Sequence, residues 1–226
     1  MTLKETFNDW TRVIDKNLLF KAVSQIPLNK LFCPSIDNVF RAFQLCSLKD
    51  CKVVMLGMDP YPQKGVATGV LFGNKDTVKE DDLSPSLKVI KEASIDYTTF
   101  HNYPVEFDNT LESWCKQGIL MINSALTVEI NKVGSHTMIW RPFIADFLKR
   151  LSKYDNGIIF VLFGEQAQTF TPYINSKHIL IEKHPAFYAR TNTRMDSKIF
   201  YEIKKLIKSQ YGEDIEWYRE YNRLNN

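Results

Sequence analysis

The sequence has little of what marks a membrane-spanning or exported protein. No apolar run among its 226 residues approaches the ~20 residues of a membrane helix. The first ten residues, M-T-L-K-E-T-F-N-D-W, lack the basic segment followed by an apolar segment that is typical of a secretory signal. We therefore expect an intracellular, cytoplasmic protein without a membrane partner.

Cysteine is scarce, and its spacing gives no support for a metal centre. The four cysteines form no C-x-x-C pair, and no histidine stands at zinc-ligand spacing from them. The motifs of structural zinc sites and iron–sulfur clusters are thus missing, so we expect no metal and no cofactor. Free thiols of this kind are typical of a reducing compartment. The cysteines are Cys33, Cys46, Cys51 and Cys115.

Charge of either sign is nearly balanced. The chain has 29 basic and 26 acidic residues, a formal net charge of +3 and a pI of about 8.5. A nucleic-acid surface would have to come from local clusters of basic side chains, since the overall excess is too small to imply one. Repeats and Gly/Ser-rich linkers are also missing. The 44% hydrophobic content suits one domain over residues 1–226, with residues 1–50 as its helical N-terminal part.

Short apolar runs alternate with amphipathic segments along the chain. The runs predict buried strands because they are bounded by turn residues and rich in β-branched side chains. The segments between them carry apolar side chains at helical spacing. This alternation predicts an α/β fold with three α/β/α layers and a central four-stranded parallel sheet. The predicted strands are 52–57, 119–122, 157–164 and 178–181, and the predicted helices include 38–45, 84–94, 108–117, 139–151, 165–173 and 197–210.

Three polar residues follow predicted strands within a few positions. Asp59, Asn123 and His184 come after the first, second and fourth strands. Because ligands of parallel sheets bind beyond the carboxyl ends of the strands, we expect these side chains to converge at one edge. Each residue alone has an ordinary alternative, as a turn residue, a helix cap or a loop histidine.

These residue types suit cleavage of a bond between a sugar and a planar heterocycle. A carboxylate such as Asp59 stabilises a sugar cation and orients water, while a neutral imidazole at His184 donates to the departing ring. The amide of Asn123 pairs with one edge of a pyrimidine. Phe72 offers a face for stacking, although its default interpretation is a core residue. Tyr61 fills the space that a C5 methyl group would need.

Four separated motifs resemble those of family-1 uracil-DNA glycosylases. Residues 57–62 read G-M-D-P-Y-P, similar to the family's G-Q-D-P-Y-H, and residues 120–128 read L-M-I-N-S-A-L-T-V, similar to its L-L-L-N-x-x-L-T-V. Residues 69–72 match its G-x-x-F segment, and His184 begins an H-P-A form of its H-P-S-P-L-S motif. Residues 111–118, L-E-S-W-C-K-Q-G, extend the resemblance.

The resemblance implies an enzyme that hydrolyses the N-glycosidic bond of a flipped-out deoxyuridine, releases uracil and leaves an abasic site. It implies a monomer without cofactor that acts on uracil-containing DNA, single- or double-stranded. A DNA-mimicking inhibitor protein is a further candidate partner. The implied catalytic residues are Asp59 and His184, and the implied substrate-binding residues are Met58, Tyr61, Phe72 and Asn123.

Phosphate contacts are expected at two places. Ser86 and the Ser135–His136 pair offer hydroxyl and backbone groups of the kind that position DNA backbones. Ordinary helix capping is an equal alternative for these residues.

The segment after the H-P dipeptide is expected to fill the gap that a flipped base leaves. The family uses a leucine there, and Phe187 or Tyr188 would take its place in this chain. Arg190, beside Lys183 and Arg194, would follow the DNA backbone, or belong to a solvated rim.

Met58 and Pro62 depart from the family's glutamine and histidine. Together with the H-P-A form, they resemble poxviral members, which also serve as polymerase processivity subunits. Two other functions therefore stay open. One is a weakly catalytic DNA-binding or replication-accessory protein on the same fold, and the other is a glycosylase for another modified pyrimidine.

Overall fold

The secondary structure alternates strands with helices, in a computed structural model that describes residues 3–27, 29–96 and 104–220. The strands are β1 (Phe32–Cys33), β2 (Val53–Gly57), β3 (Val105–Glu106), β4 (Ile119–Asn123), β5 (Val128–Glu129), β6 (Ile159–Phe163), β7 (His178–Glu182) and β8 (Arg219–Glu220). The α-helices are α1 (Leu3–Phe7), α2 (Lys16–Ser24), α3 (Arg41–Leu45), α4 (Pro85–Ile95), α5 (Glu112–Lys116), α6 (Thr137–Tyr154), α7 (Gly164–Gln168), α8 (Pro185–Thr191) and α9 (Lys198–Tyr211).

The central sheet has four parallel strands in the order β4-β2-β6-β7. Every residue of β2 and β6 is buried, because helices cover the sheet and leave no polar face for these strands. The α/β prediction with a four-stranded parallel sheet is confirmed. Since all four strands run the same way, the segments after them leave from one edge.

The longest helices show why the sheet is covered. In α6 the buried side chains recur at helical spacing and include Trp140, Phe143, Phe147 and Leu151. In α9 the buried set is Ile199, Phe200, Ile203 and Ile207. Both stripes belong to the same hydrophobic core as the sheet, so burial of one apolar face fixes each helix.

The N-terminal part, predicted to be helical over residues 1–50, is only partly helical. The strand β1 pairs antiparallel with β5, with Cys33 opposite Val128. Pro34 follows β1 directly and stops any helix from running through it. The helical segment predicted at 38–45 is a 3-10 turn at Ile36–Asn38 followed by α3.

Two other helices are shorter than predicted, and one segment without a predicted helix is helical. The side chain of Asp108 accepts from the N–H groups of Thr110 and Ser113, so residues 108–111 form a turn before α5. The helix predicted at 165–173 is divided into α7 and a 3-10 turn at Thr171–Tyr173, where Pro172 lacks an N–H donor. The segment after His184, for which no helix was predicted, forms α8.

None of the helices within the described ranges combines the length and the apolar character needed to cross a bilayer. The prediction of a single domain over residues 1–226 stays a prediction. Residues 1–2, 28, 97–103 and 221–226 lie outside the described ranges.

Candidate active site

A cavity of about 820 Å³ lies at the carboxyl edge of the central sheet. It brings together the three polar side chains that were expected to converge, Asp59, Asn123 and His184. The other sequence-predicted residues that line it are Met58, Tyr61, Phe72, Ser86, Phe187 and Arg190.

Asp59 lies in the turn that follows β2, where Gly57 allows close packing. A Cβ atom on Gly57 would lie 2.4 Å from Leu71 Cδ1 and 2.8 Å from Asn123 Oδ1, so a larger residue there would displace these two side chains. The Oδ2 atom of Asp59 accepts a hydrogen bond of 2.6 Å from the N–H of Gly134. Burial raises the pKa of this carboxyl, and the Gly134 bond partly offsets the rise. The result is a partly desolvated acid held in one orientation.

His184 caps the start of α8 and faces the cavity as a neutral imidazole. Its Nδ1 atom accepts from the N–H of Ala186 over 3.2 Å, which leaves the ring proton on Nε2. Burial, followed by the charge of Arg190, lowers the pKa of His184 to about 4. Gly164 has a φ of +83°, and a Cβ there would lie 2.9 Å from His184 Cβ. The imidazole is therefore a fixed hydrogen-bond donor near neutral pH.

Asn123 ends β4 and pairs in register with Gly57. Its Oδ1 atom is buried and has no hydrogen-bond partner among the described residues. A buried acceptor without a donor costs about 1–3 kcal/mol, so such a group usually signals a missing partner. Because Asn123 lines the cavity, a bound ring with an N–H group can supply that partner.

Phe72 lies in the wall of the cavity in an unusual backbone conformation. Its φ is +63°, in the left-handed region that non-glycine residues seldom occupy. The ring makes edge contacts with Phe163 at 5.3 Å and with His184 at 5.5 Å between ring centroids. The backbone is held by Tyr61, whose hydroxyl donates to the Phe72 carbonyl over 3.1 Å.

Tyr61 and Met58 complete the turn that carries Asp59. Burial raises the pKa of the Tyr61 phenol, so the hydroxyl stays protonated and donates. The carbonyl of Met58 accepts from the N–H of Ala125 over 2.8 Å and from the Ser124 hydroxyl over 2.9 Å. These bonds join the turn after β2 to the segment after β4.

The residues expected to contact DNA divide into two sets. Ser86, Phe187 and Arg190 line the cavity, and Arg190 is exposed at its mouth. The ammonium group of Lys183 lies 4.4 Å from the centre of the Phe187 ring. Ser86, by contrast with Arg190, is only 5% exposed.

The remaining three expected contacts lie outside the cavity lining. His136 is only 3% exposed, and its Nδ1 lies 2.9 Å from the Thr127 hydroxyl. The expected phosphate contact through the backbone of the Ser135–His136 pair stays a prediction. The exposed Ser135 uses its hydroxyl to accept the Glu129 N–H over 2.8 Å. Tyr188 donates to Glu182 Oε1 over 2.7 Å, because the turn of α8 directs it away from the cavity.

Several lining residues were missed from the sequence. Glu165, Gln166 and Gln168 follow β6 at the same edge, so the rule that located the other polar groups could have found them. Gly134 was missed because nothing in the sequence pairs it with Asp59, 75 positions away. Within the described ranges, no three His, Cys, Asp or Glu side chains are grouped as metal ligands.

The sequence of residues 43–208 matches the model of a family described as the Uracil DNA glycosylase superfamily. A protein named uracil-DNA glycosylase from Campylobacter jejuni is 34% identical over 206 residues, which cover 89% of this chain and 84% of that protein. One of the same name from Christiangramia forsetii is 33% identical over 215 residues, covering 93% of this chain and 94% of that protein.

Solved structures with a similar fold carry related names. Mimivirus uracil-DNA glycosylase matches with a TM-score of 0.71 and 22% identity, covering 95% of this chain and 91% of that one. A variant of the mimivirus protein in complex with UGI matches with a TM-score of 0.72 and 24% identity, covering 96% and 94%. At these identities the likeness shows the fold.

Proposed function

The chain belongs to the uracil-DNA glycosylase superfamily, and we propose that Asp59 and His184 are the catalytic residues of its cavity. The activity is that of a uracil-DNA glycosylase, a monofunctional N-glycosylase. It hydrolyses the N-glycosidic bond of a flipped-out deoxyuridine, releases uracil and leaves an abasic site. The observation that carries the assignment of roles is one cavity holding an oriented carboxylate and a neutral imidazole donor.

Asp59 acts on the sugar side of the bond. As the base departs, positive charge develops on the sugar, and a fixed carboxylate stabilises it without reorganising. The Gly134 N–H holds Oδ2 of Asp59, so the carboxylate faces the cavity in one orientation. The same group orients the attacking water and accepts its proton after the bond breaks.

His184 acts on the base side of the bond. The departing ring carries negative charge on its oxygens, and the Nε2–H donor of His184 stabilises that charge. With a pKa of about 4, His184 stays neutral at neutral pH. It therefore acts as a hydrogen-bond donor through Nε2–H and does not become an imidazolium.

Recognition of uracil rests on the cavity wall. The unpaired Oδ1 atom of Asn123 accepts from the ring N–H, and its amide nitrogen donates to a ring oxygen. Phe72 stacks on the ring, and Tyr61 occupies the space of a C5 methyl group, which excludes thymine. Met58 bounds the approach to Asp59.

DNA is bound at the mouth of the cavity. Ser86 and Arg190 contact the phosphates, with Lys183 adding positive charge beside them. Phe187 fills the gap in the base stack, since it lines the mouth while Tyr188 is tied to Glu182. Flipping removes the base from the stack, because the duplex hides its glycosidic bond.

Family-1 membership with poxviral-like motif forms is part of the proposal, supported by Asp59 and Tyr61 in the G-M-D-P-Y-P segment. A DNA-mimicking inhibitor is proposed as a partner, since a similar structure is a complex with UGI. We also propose a monomer of one domain over residues 1–226 in a reducing, cytoplasmic compartment, which the four buried free thiols support.

Uracil release from single- and double-stranded oligonucleotides tests the assignment. Asp59→Asn and His184→Ala should each lower kcat by about 10²–10³, as loss of one transition-state contact does. Asp76→Asn in an exposed loop and His178→Ala at the far end of β7 are matched controls that should keep full activity.

The same assay separates the two alternatives. An unchanged rate in either cavity variant would overturn that residue's role. DNA binding without any base release would favour the replication-accessory alternative. Release of 5-hydroxymethyluracil in preference to uracil would favour the modified-pyrimidine alternative.

A further inference from the structure

A buried amide lies behind the cavity wall without lining the cavity. Asn74 is 1% exposed, and all of its side-chain polar atoms are paired. Its Nδ2 donates to the Gly73 carbonyl over 3.2 Å and to the Ser84 hydroxyl over 2.9 Å. Its Oδ1 accepts from the N–H of Ser84 over 2.7 Å. The Asn74 side chain therefore fixes both its own turn and Ser84, the residue directly before α4.

The first segment held by Asn74 carries Phe72. The carbonyl of Gly73, directly after Phe72, accepts from Asn74 and also from the Thr68 hydroxyl over 3.3 Å. On the other side, the carbonyl of Phe72 accepts from Tyr61. A left-handed φ at a phenylalanine persists only where its surroundings determine it strongly, and these bonds supply that constraint.

The second segment held by Asn74 is the start of α4. Ser84 precedes Pro85 and makes no capping bond with its side chain, which is used by Asn74 instead. The hydroxyls of Ser84 and Ser86 lie close enough to the Tyr61 phenol to lower its pKa, against the larger effect of burial. The hydrogen bonds thus run from Asn74 to the Gly73 carbonyl, directly after Phe72, and from Tyr61 to the Phe72 carbonyl, while Asn74 also holds Ser84 in place.

We propose that Asn74 is a positioning residue for uracil binding, which sets Phe72 and Tyr61 at the spacing required by a flat ring without a C5 substituent. This inference rests on the proposed function. The stacking wall and the methyl-excluding phenol come from separate turns that meet at the bond from Tyr61 to the Phe72 carbonyl, and Asn74 fixes the Phe72 side of that bond at Gly73 and Ser84. Because the reacting groups Asp59 and His184 are held by Gly134 and Ala186, Asn74 acts on binding and leaves the chemical step intact.

Two deletions and a remote control test the proposal. Asn74→Ala removes the bonds to Gly73 and Ser84, and Ser84→Ala removes only the hydroxyl that accepts from Asn74. Ser152→Ala is the matched control, since this buried hydroxyl accepts from the N–H of Asn175 and is not part of the cavity. The measurements are thermal midpoint, kcat and KM on a single-stranded uracil oligonucleotide, and the inhibition constant of free uracil.

The expected pattern separates positioning from general stability. In Asn74→Ala, KM and the inhibition constant of free uracil should rise about tenfold while kcat stays within about threefold. In Ser84→Ala the same two constants should rise about threefold. Ser152→Ala should lower the thermal midpoint and leave both constants unchanged.

Three results would overturn the inference. The first is a folded Asn74→Ala protein whose inhibition constant stays within about twofold of the parent. The second is a rise of KM and of the inhibition constant in Ser152→Ala equal to the rise in Ser84→Ala. The third is an unchanged inhibition constant in Ser84→Ala, and it decides the test if Asn74→Ala does not fold. Failure of the parent protein to release uracil would remove the proposed function as well, whereas an active parent with unaffected variants removes this inference alone.

Discussion

The backbone N–H of Gly134 donates to Oδ2 of Asp59 over 2.6 Å and joins two turns that are 75 residues apart in the sequence. Gly134 has a φ of +79°, and its turn is closed by the bond from the Glu129 N–H to the Ser135 hydroxyl. The orientation of the proposed catalytic carboxylate therefore depends on a turn that contributes no side chain to the chemistry.

Gly134→Ala should reduce catalysis through this turn. The left-handed φ costs a non-glycine residue about 1–3 kcal/mol, and relief of that strain would move the N–H away from Asp59. Gly212→Ala is the matched control, because its φ is +68° at the end of α9 and a Cβ there meets nothing within 4 Å. Both variants should lose thermal stability, and only Gly134→Ala should lose kcat by about tenfold. Equal kcat values for the two variants would contradict the role of this bond.

The low pKa of His184 predicts a pH-dependent stability. The folded-state pKa of about 4 lies below the ordinary value of 6.5, so the folded protein favours the neutral ring. The stabilisation is fully present above about pH 6.5 and is lost as pH falls towards 4, by about 2 kcal/mol at most after allowance for solvent. His184→Gln should reduce the loss of thermal stability over this pH range. Parallel melting profiles for the two proteins would contradict a neutral, buried imidazole.

The pKa shift of Asp59 changes stability with pH in the opposite direction to that of His184. Burial raises its pKa, so the ionised carboxylate destabilises the folded protein at neutral pH, and protonation at lower pH relieves that cost. Asp59→Asn should therefore leave the thermal midpoint at pH 7 unchanged or raise it, even as uracil release falls. A clear drop in the midpoint would show that the carboxylate contributes more to folding than its desolvation costs.

Substitutions of Tyr61 separate the bulk of its ring from its hydroxyl. Tyr61→Ala should permit release of thymine, because the space for a C5 methyl group opens. Tyr61→Phe should still exclude thymine but weaken uracil binding by about 1 kcal/mol, since the bond to the Phe72 carbonyl is lost. Release assays with uracil and thymine oligonucleotides check both results. If Tyr61→Ala leaves thymine inert, steric exclusion by this ring is wrong.

Phe187→Ala should affect duplex DNA more than single strands. A stacked aromatic contributes about 1–3 kcal/mol, which matters only where a base must leave a helix. We expect kcat/KM on duplex to fall about tenfold and on single strands less than threefold. Tyr188→Phe, which removes the bond to Glu182, should leave kcat/KM unchanged on both substrates. Equal losses on both substrates would contradict a wedge at Phe187.

The sheet and the convergence of its polar residues could be predicted because their causes are local. The runs that became β2 and β6 are apolar on both faces and bounded by turn residues, which is typical of central parallel strands. Once the strands are parallel, Asp59, Asn123 and His184 must leave from one edge.

The remaining features depend on contacts between distant segments. The strands β1 and β5 have two residues each, too few for any periodic pattern. His136 is buried because Thr127 and the core surround it, which the Ser-His dipeptide does not reveal. The choice between Phe187 and Tyr188 depends on the direction in which α8 turns, and adjacent aromatic residues give no such direction.

The four cysteines are all buried and unpaired, with exposures of 4% or less. Maleimide dyes attach to accessible thiols, so the native protein should resist labelling. A cysteine introduced at an exposed site such as Lys75 would then carry the label at a single position. Fluorescence measurements of DNA engagement could be made without first removing the native sulfur atoms from the core.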